Sequence, residues 1–209
     1  MTSDEWIRRA VKPLLFGACL VPAGLLAWRA AAGGLGPNPI GELLHGTGEW
    51  TLRFVLLTLA ITPLRGLSGW TAASRLRRML GLFAFFYGCL HFLTYLVLDQ
   101  FFDLQAIVQD VAKRPYITVG FAGFAAMIPL ALTSTTAMVK RLGGGAWAWL
   151  HRLVYVTAVA GVVHFWWLVK ADLRRPQIYA ALLALLFAFR IVETLRERRR
   201  GSPAPASRM

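Results

Sequence analysis

Residues 79–98 read MLGLFAFFYGCLHFLTYLVL, from Met79 to Leu98, an uncharged run with a single histidine, His91, past its middle. A run of about 20 apolar residues is what an α-helix needs to cross the hydrocarbon core of a bilayer. Lipid offers no hydrogen bonds, and a helix satisfies its backbone groups within one segment, so this stretch reads as a membrane-spanning helix. Three more uncharged runs flank it: Pro13–Trp28, Pro115–Val139 and Leu153–Val169, the last extending backwards through Leu142–His151. Phe54–Leu64 and Pro176–Phe189 are shorter, lengths that suit interfacial or buried segments as well as spans. Charged neighbours can still sit at a span's edge. Glu49 and Arg53 are four apart and pair on a helix, Arg53 can snorkel, and Arg190 and Glu193 have the same option. The expectation is an all-α integral membrane protein built as a six-transmembrane-helix bundle.

Composition agrees. The chain has 209 residues, 57% hydrophobic and 16% charged, with a mean hydropathy of +0.54. A soluble domain would be about 45–50% apolar and about 25% charged. Six spans consume roughly 120 positions, which leaves no room for a Rossmann or P-loop domain. Cys19 and Cys89 lie singly in apolar runs with no CxxC spacing, and read as small buried hydrophobes rather than a disulfide framework. The formal charge of +13 invites a nucleic-acid reading. In so apolar a chain, basic residues mark cytoplasmic loops instead.

Charge also orients the bundle. With the N-terminus inside, 16 of the 23 Lys and Arg residues fall on the cytoplasmic side, among them Arg65, Arg75, Arg77, Arg78, Lys140, Arg141 and Arg152. The outside holds most of the acids, including Glu42, Glu49, Asp99, Asp103, Asp110 and Asp172. Both termini are therefore expected in the cytoplasm. Residues 1–12 read as a cytoplasmic N-terminus, 13–195 as the helical domain, and 196–209 as a basic, disordered tail. Arg8, Arg9 and Lys12 before an apolar run that ends in Ala30-Ala31-Ala32 resemble a cleavable signal peptide, but two early prolines and the lack of a polar region before the alanines argue against cleavage.

An ionisable residue inside a span is a functional-site hypothesis by default. His45, between Leu44 and Gly46, reads as an interfacial loop histidine. His91 and His164 sit at matching depths on two helices that both run outward. Two neutral imidazoles facing each other from neighbouring helices are how a bundle grips a b-type haem iron axially; a bare zinc or copper ion would call for further Cys, Asp or Glu ligands. Gly88 and Gly161 each lie three residues before one of these histidines, beneath a side chain that leans back over the preceding turn, and leave room for a flat macrocycle. Glycine at such positions also permits plain helix packing. His151 lies beside Arg152, thirteen residues before His164, which is ~20 Å along a helix and about 140° around it. The two share a face only if the helix is irregular there. His151 reads equally as a metal ligand or as a polar neighbour of a cofactor. Thirteen residues before His91 stands Arg78, with Arg77 beside it; these can hold haem propionates or another anion such as a flavin phosphate, although positive-inside topology also accounts for them.

Several stretches then carry a family resemblance. They are Thr47-Gly48-x-Trp50, Thr62-Pro63-Leu64-Arg65, Arg78-x-Leu80-Gly81-Leu82 leading to Tyr87 and His91, Lys113-Arg114-Pro115-Tyr116-Ile117-Thr118-Val119-Gly120, Leu132-Thr133-Ser134, and Trp149-Leu150-His151-Arg152-Leu153-Val154-Tyr155 leading to His164-Phe165. In order, and over about residues 10–195, they resemble the MsrQ (YedZ) haem-binding membrane subunits of periplasmic protein-methionine-sulfoxide reductase systems. Those belong to the ferric-reductase-like transmembrane group, related to the membrane part of NADPH oxidases. The resemblance implies a conduit for electrons in the bacterial inner membrane, with haem b in one or two copies and FMN as an associated cofactor. The electrons would come from the quinone pool or a cytosolic flavin reductase and pass to a periplasmic molybdopterin-containing methionine sulfoxide reductase that repairs oxidised proteins. Chemistry on the sulfoxide is then expected in that partner, not in this chain. The family's histidines map onto His91, His151 and His164. Two-haem relatives carry paired histidines on both helices, and Arg78 stands where the fourth would be. Only Arg190–Met209 follow the last apolar segment here, without GxGxxG, so if the chain carries electrons the expected donor is a separate partner or a membrane quinol. Two other readings are a histidine-relay proton or metal transporter, which predicts a colourless protein, and a ferric-reductase-type subunit with another acceptor.

Overall fold

In the computed structural model, which describes residues 3–201, the principal elements are helical. They are α1 (Lys12–Ala31), α2 (Pro39–Ser68), α3 (Ser74–Leu93), α4 (Leu104–Lys113), α5 (Pro115–Leu132), α6 (Thr136–Leu142), α7 (Gly144–Leu150), α8 (Leu153–Leu168) and α9 (Arg174–Gly201). A wider-wound turn, Thr94–Asp99, prolongs α3. Six of the resulting rods are long and apolar enough to cross a membrane: Arg9–Ala31, Pro39–Ser68, Thr71–Asp99, Pro115–Leu132, Gly144–Leu168 and Arg174–Glu197. Their outward faces are apolar, with Leu14 at 74% and Leu185 at 66% exposure, which suits contact with lipid rather than water. The protein is a multi-pass membrane protein.

Local chemistry sets the bounds. α2 begins where Asn38 Oδ1 accepts from the Gly41 N–H with Pro39 in the first turn, and ends at Gly69 in a left-handed conformation (φ 69°). It is far longer than the uncharged Phe54–Leu64. Its extra turns carry Glu49 and Arg53, which pair at 2.7 Å. Tyr179 of α9 donates to Glu49 Oε1 at 2.8 Å and accepts from Arg53 Nε at 3.0 Å. Paired and bonded in this way, the two charges no longer interrupt the span. α9 likewise outruns Pro176–Phe189 and continues through Gly201, six residues into the stretch expected to be a disordered tail; residues 202–209 lie outside the described residues. The Pro115–Val139 run is divided at Thr133–Thr135, and α4 is an interfacial helix that the apolar runs did not announce.

α2 with α3, and α5 with α8, form the two closest pairs, and the core lies between them. Phe54, Phe83 and Tyr87 stack between α2 and α3, with ring centroids 5.2–5.8 Å apart. Across α5 and α8, a Cβ on Gly123 would stand 3.1 Å from that of Ala160, so two small residues bring these helices together.

Candidate functional site

The two inner pairs enclose a cavity of about 330 Å³, into which α3 presents His91 and α8 presents His164. Each imidazole is held in the same way by the helix opposite. His91 Nδ1 lies 3.0 Å from the Leu44 carbonyl oxygen on α2, and His164 Nδ1 lies 2.6 Å from that of Tyr116 on α5. Carbonyls only accept, so each Nδ1 carries the proton and donates it. Each Nε2 then keeps its lone pair and has no hydrogen-bond partner among the described residues. This is the tautomer a metal-binding histidine adopts when its second nitrogen is anchored to backbone.

In both cases a glycine stands four residues beyond the accepting carbonyl. A Cβ at Gly48 would meet the His91 ring at 3.0 Å, and one at Gly120 would meet His164 Nδ1 at 2.6 Å. A side chain there would displace the ring. Gly88 and Gly161, the glycines singled out from their own helices, also line the cavity. Their neighbours are Phe124 at 3.4 Å and Leu52 Cδ1 at 3.3 Å, across the helix interfaces. Gly48 and Gly120 were legible only within the Thr47-Gly48 and Thr118-x-Gly120 stretches, because nothing in the spacing along one helix reports what a facing helix presses against it.

The ring centroids of His91 and His164 are 6.2 Å apart. A metal on the line between two Nε2 atoms, with bonds of about 2 Å and ring centres about 1 Å behind the nitrogens, needs a separation of about 6 Å. No group of three or more His, Cys, Asp or Glu residues gathers as a metal site among the described residues. A bare ion would therefore have two protein ligands, whereas an iron porphyrin brings four nitrogens of its own and needs only two axial ones. The cavity wall suits the rest of such a molecule: an apolar body formed by Leu52, Val55, Phe124 and Met127, and a polar mouth with Tyr95, Asp99 and Arg114. His45, expected in a loop, is instead within α2, at the same mouth.

His151 does not join the other two. α7 and α8 are separated by a tight turn at His151–Arg152, where the Arg152 N–H bonds back to Trp149 O at 3.0 Å, so the helix is irregular at the point where a shared face with His164 would require it. His151 stacks on Trp147 at 3.9 Å, and its Nε2 lies 3.0 Å from Thr133 Oγ1. Thr133 gives its hydroxyl proton to Pro129 O at 2.6 Å, so His151 Nε2 is the donor, the opposite assignment from the cavity histidines. Arg77 and Arg78 diverge. Arg78 Nη1 approaches Thr136 Oγ1 at 3.4 Å, while Arg77 Nη2 donates to Thr62 Oγ1 at 3.0 Å on α2. Arg152 is exposed.

Comparison with known proteins gives the family. Residues 47–162 match the family described as "Ferric reductase like transmembrane component". A protein of Herminiimonas arsenicoxydans named "Protein-methionine-sulfoxide reductase heme-binding subunit MsrQ" is 52% identical over 92% of this chain and 89% of its own length. Proteins of the same name from Rhodospirillum rubrum and Azospira oryzae are 54% and 55% identical, each over 90% of this chain and over 90% and 81% of their own lengths. The chain belongs to the MsrQ family. It is thus a member of the ferric-reductase-like transmembrane group, and the match takes in α3, α5 and most of α8, the helices that form the cavity with α2. No solved structure matches the chain. Thr47 and Gly48 open the region matched by the ferric-reductase family, beside the carbonyl that holds His91.

Proposed function

We propose that this chain is the haem-binding electron-transfer subunit of a methionine sulfoxide reductase system, with His91 and His164 as the axial ligands of one b-type haem. The observation that carries the reading is the pair of imidazoles 6.2 Å apart, each fixed by an Nδ1–H bond to a facing carbonyl, in an apolar cavity with a polar mouth. When bound, the haem supplies an iron that exchanges single electrons. The protein's part is positional. Leu44 and Tyr116 fix both tautomers, Gly48 and Gly120 admit the rings, and Leu52, Val55, Phe124 and Met127 keep water from the site. Arg114 at the mouth supplies the positive charge that propionates need. With the basic ends inside, electrons run outward across the bacterial inner membrane to a periplasmic molybdopterin-containing reductase that carries out the sulfoxide chemistry. The quinone pool or a cytosolic flavin reductase, with FMN, supplies them at the inner face. His151 and Arg78, at that face, serve the donor side.

The test is a visible spectrum of the purified protein before and after dithionite, with haem and flavin quantified on the same sample. The expected result is a sharp reduced α-band with one haem per chain. His91→Ala and His164→Ala should each remove most of it. Full Soret absorbance in both variants sinks the axial pair, and a colourless wild type that haem supplementation does not restore returns the histidines to a relay.

A further inference from the structure

At the end of the bundle away from the cavity, two arginines from different helices converge on one oxygen. Arg77 of α3 and Arg190 of α9 both donate through Nη2 to Thr62 Oγ1 of α2, at 3.0 Å and 3.1 Å. Two atoms bonded to one oxygen at those distances lie within about 6 Å of each other, close enough for strong repulsion at low dielectric. Arg65, one turn beyond Thr62, adds a third positive charge that acts on Arg77. No acidic group offsets them: Arg77 and Arg190 form no ion pair among the described residues, and Glu193, one turn from Arg190, makes none with it. Arg77 Nε is buried and has no hydrogen-bond partner. Arg190 is backed by the Tyr155 ring, 5.0 Å from its guanidinium carbon. Arg77 and Thr62 each lie six residues inside the ends of their spans, about 9 Å along the helix.

Like charges drawn together inside a membrane protein need a partner, and the fold does not provide one. A flexible surface arginine would turn to solvent; these two are half-buried and aimed at a common point. Guanidinium forks match the oxygens of a phosphate, and each of these two arginines spends only Nη2 on Thr62.

We propose that Arg77, Arg190 and Thr62, with Arg65 at the rim, form a binding site for a phosphate group. It is separate from the histidine cavity. Two sources carry that chemistry, the headgroup of an anionic phospholipid and a soluble phosphate, and they are separable by experiment. The full-length protein in neutral detergent is titrated at constant ionic strength with inorganic phosphate, with phosphatidylglycerol in mixed micelles, and with phosphatidylcholine as control. Thermal unfolding is followed by tryptophan fluorescence, a readout that does not depend on haem. The wild type should gain a saturable rise of several degrees in Tm from inorganic phosphate, from phosphatidylglycerol, or from both. A response to inorganic phosphate alone assigns a soluble ligand, and a response to the lipid alone assigns a headgroup. Arg77→Gln and Arg190→Gln should each abolish the response, while Arg77→Lys should keep part of it. Without ligand, Arg190→Gln should unfold no lower than the wild type, because it relieves the repulsion. Thr62→Ala serves if an arginine variant does not fold, and should weaken the response. A wild type that responds to neither probe, a response that survives Arg77→Gln and Arg190→Gln, or an equal loss of Tm with and without ligand would overturn the site; the last would make the arginines mere struts.

Discussion

At Gly120 a hydrogen stands where any other residue would place a carbon 2.6 Å from His164 Nδ1. That gap is closer than a Cβ tolerates, and the atom it would strike is the one that donates to Tyr116. Gly120→Ala should therefore swing the imidazole out of line and lose most of the bound haem, while Gly48→Ala, with contacts of 3.0 Å, should keep more haem but with an altered Soret position or reduction potential. Haem-to-protein ratios and a redox titration check both; equal haem content in wild type and Gly120→Ala would contradict the seating. The two histidines that face each other in the cavity were legible in the sequence because a lone histidine in an uncharged run is conspicuous and its depth can be counted. The glycines that seat them stood only within the family stretches, with no role to be read, because they lie 43 and 44 residues from their histidines in sequence and no periodicity links them.

Among the elements, α1 shows how a loosely packed outer helix is tied to the bundle. Tyr87 of α3, fully buried, donates its hydroxyl proton to Cys19 O at 2.8 Å and accepts from the Ala23 N–H at 2.9 Å. Those two backbone groups are four residues apart and would otherwise bond to each other, so the hydroxyl is spliced into the ladder of α1 next to Pro22, which supplies no N–H of its own. Tyr87→Phe leaves a buried donor and acceptor to find each other across the gap. A cost of about 1–3 kcal/mol is expected, seen as a lower Tm in detergent with haem content retained, since Tyr87 does not line the cavity. An unchanged Tm would mean that α1 closes its ladder freely. Helix lengths show the limits of reading apolar runs. α2 was under-read because Glu49 and Arg53 count as interruptions until Tyr179 of α9, 126 residues from Arg53, is seen to bind both. α4 escaped notice since its Leu104 and Val108 are exposed on a short segment bounded by Asp103 and Lys113, too short to register as a span.

On the scale of the whole molecule, the site is placed asymmetrically. His164 is four residues from the end of α8 and His91 two from the end of α3, whereas His151 stands at the opposite end, about 20 Å away along the helix. The end near the cavity carries Asp99, Asp103, Asp110 and Asp172; the far end carries Arg65, Arg75, Arg77, Arg78, Lys140 and Arg141. The basic end should face the cytoplasm, because Lys and Arg resist transfer across the membrane. Green fluorescent protein fused after Arg196 should then fluoresce, and alkaline phosphatase fused after Asp172, in the turn between α8 and α9, should be active. The reverse pattern would invert the bundle and with it the direction of transfer. If the expected orientation holds, a haem held by His91 and His164 would lie near the outer face, within reach of the proposed periplasmic acceptor, with most of the membrane's thickness between it and a cytosolic donor. A membrane-impermeant oxidant added outside intact spheroplasts should then reoxidise the haem quickly, while the same oxidant confined to the inner face should do so slowly. Equal rates from both faces would place the haem at mid-membrane.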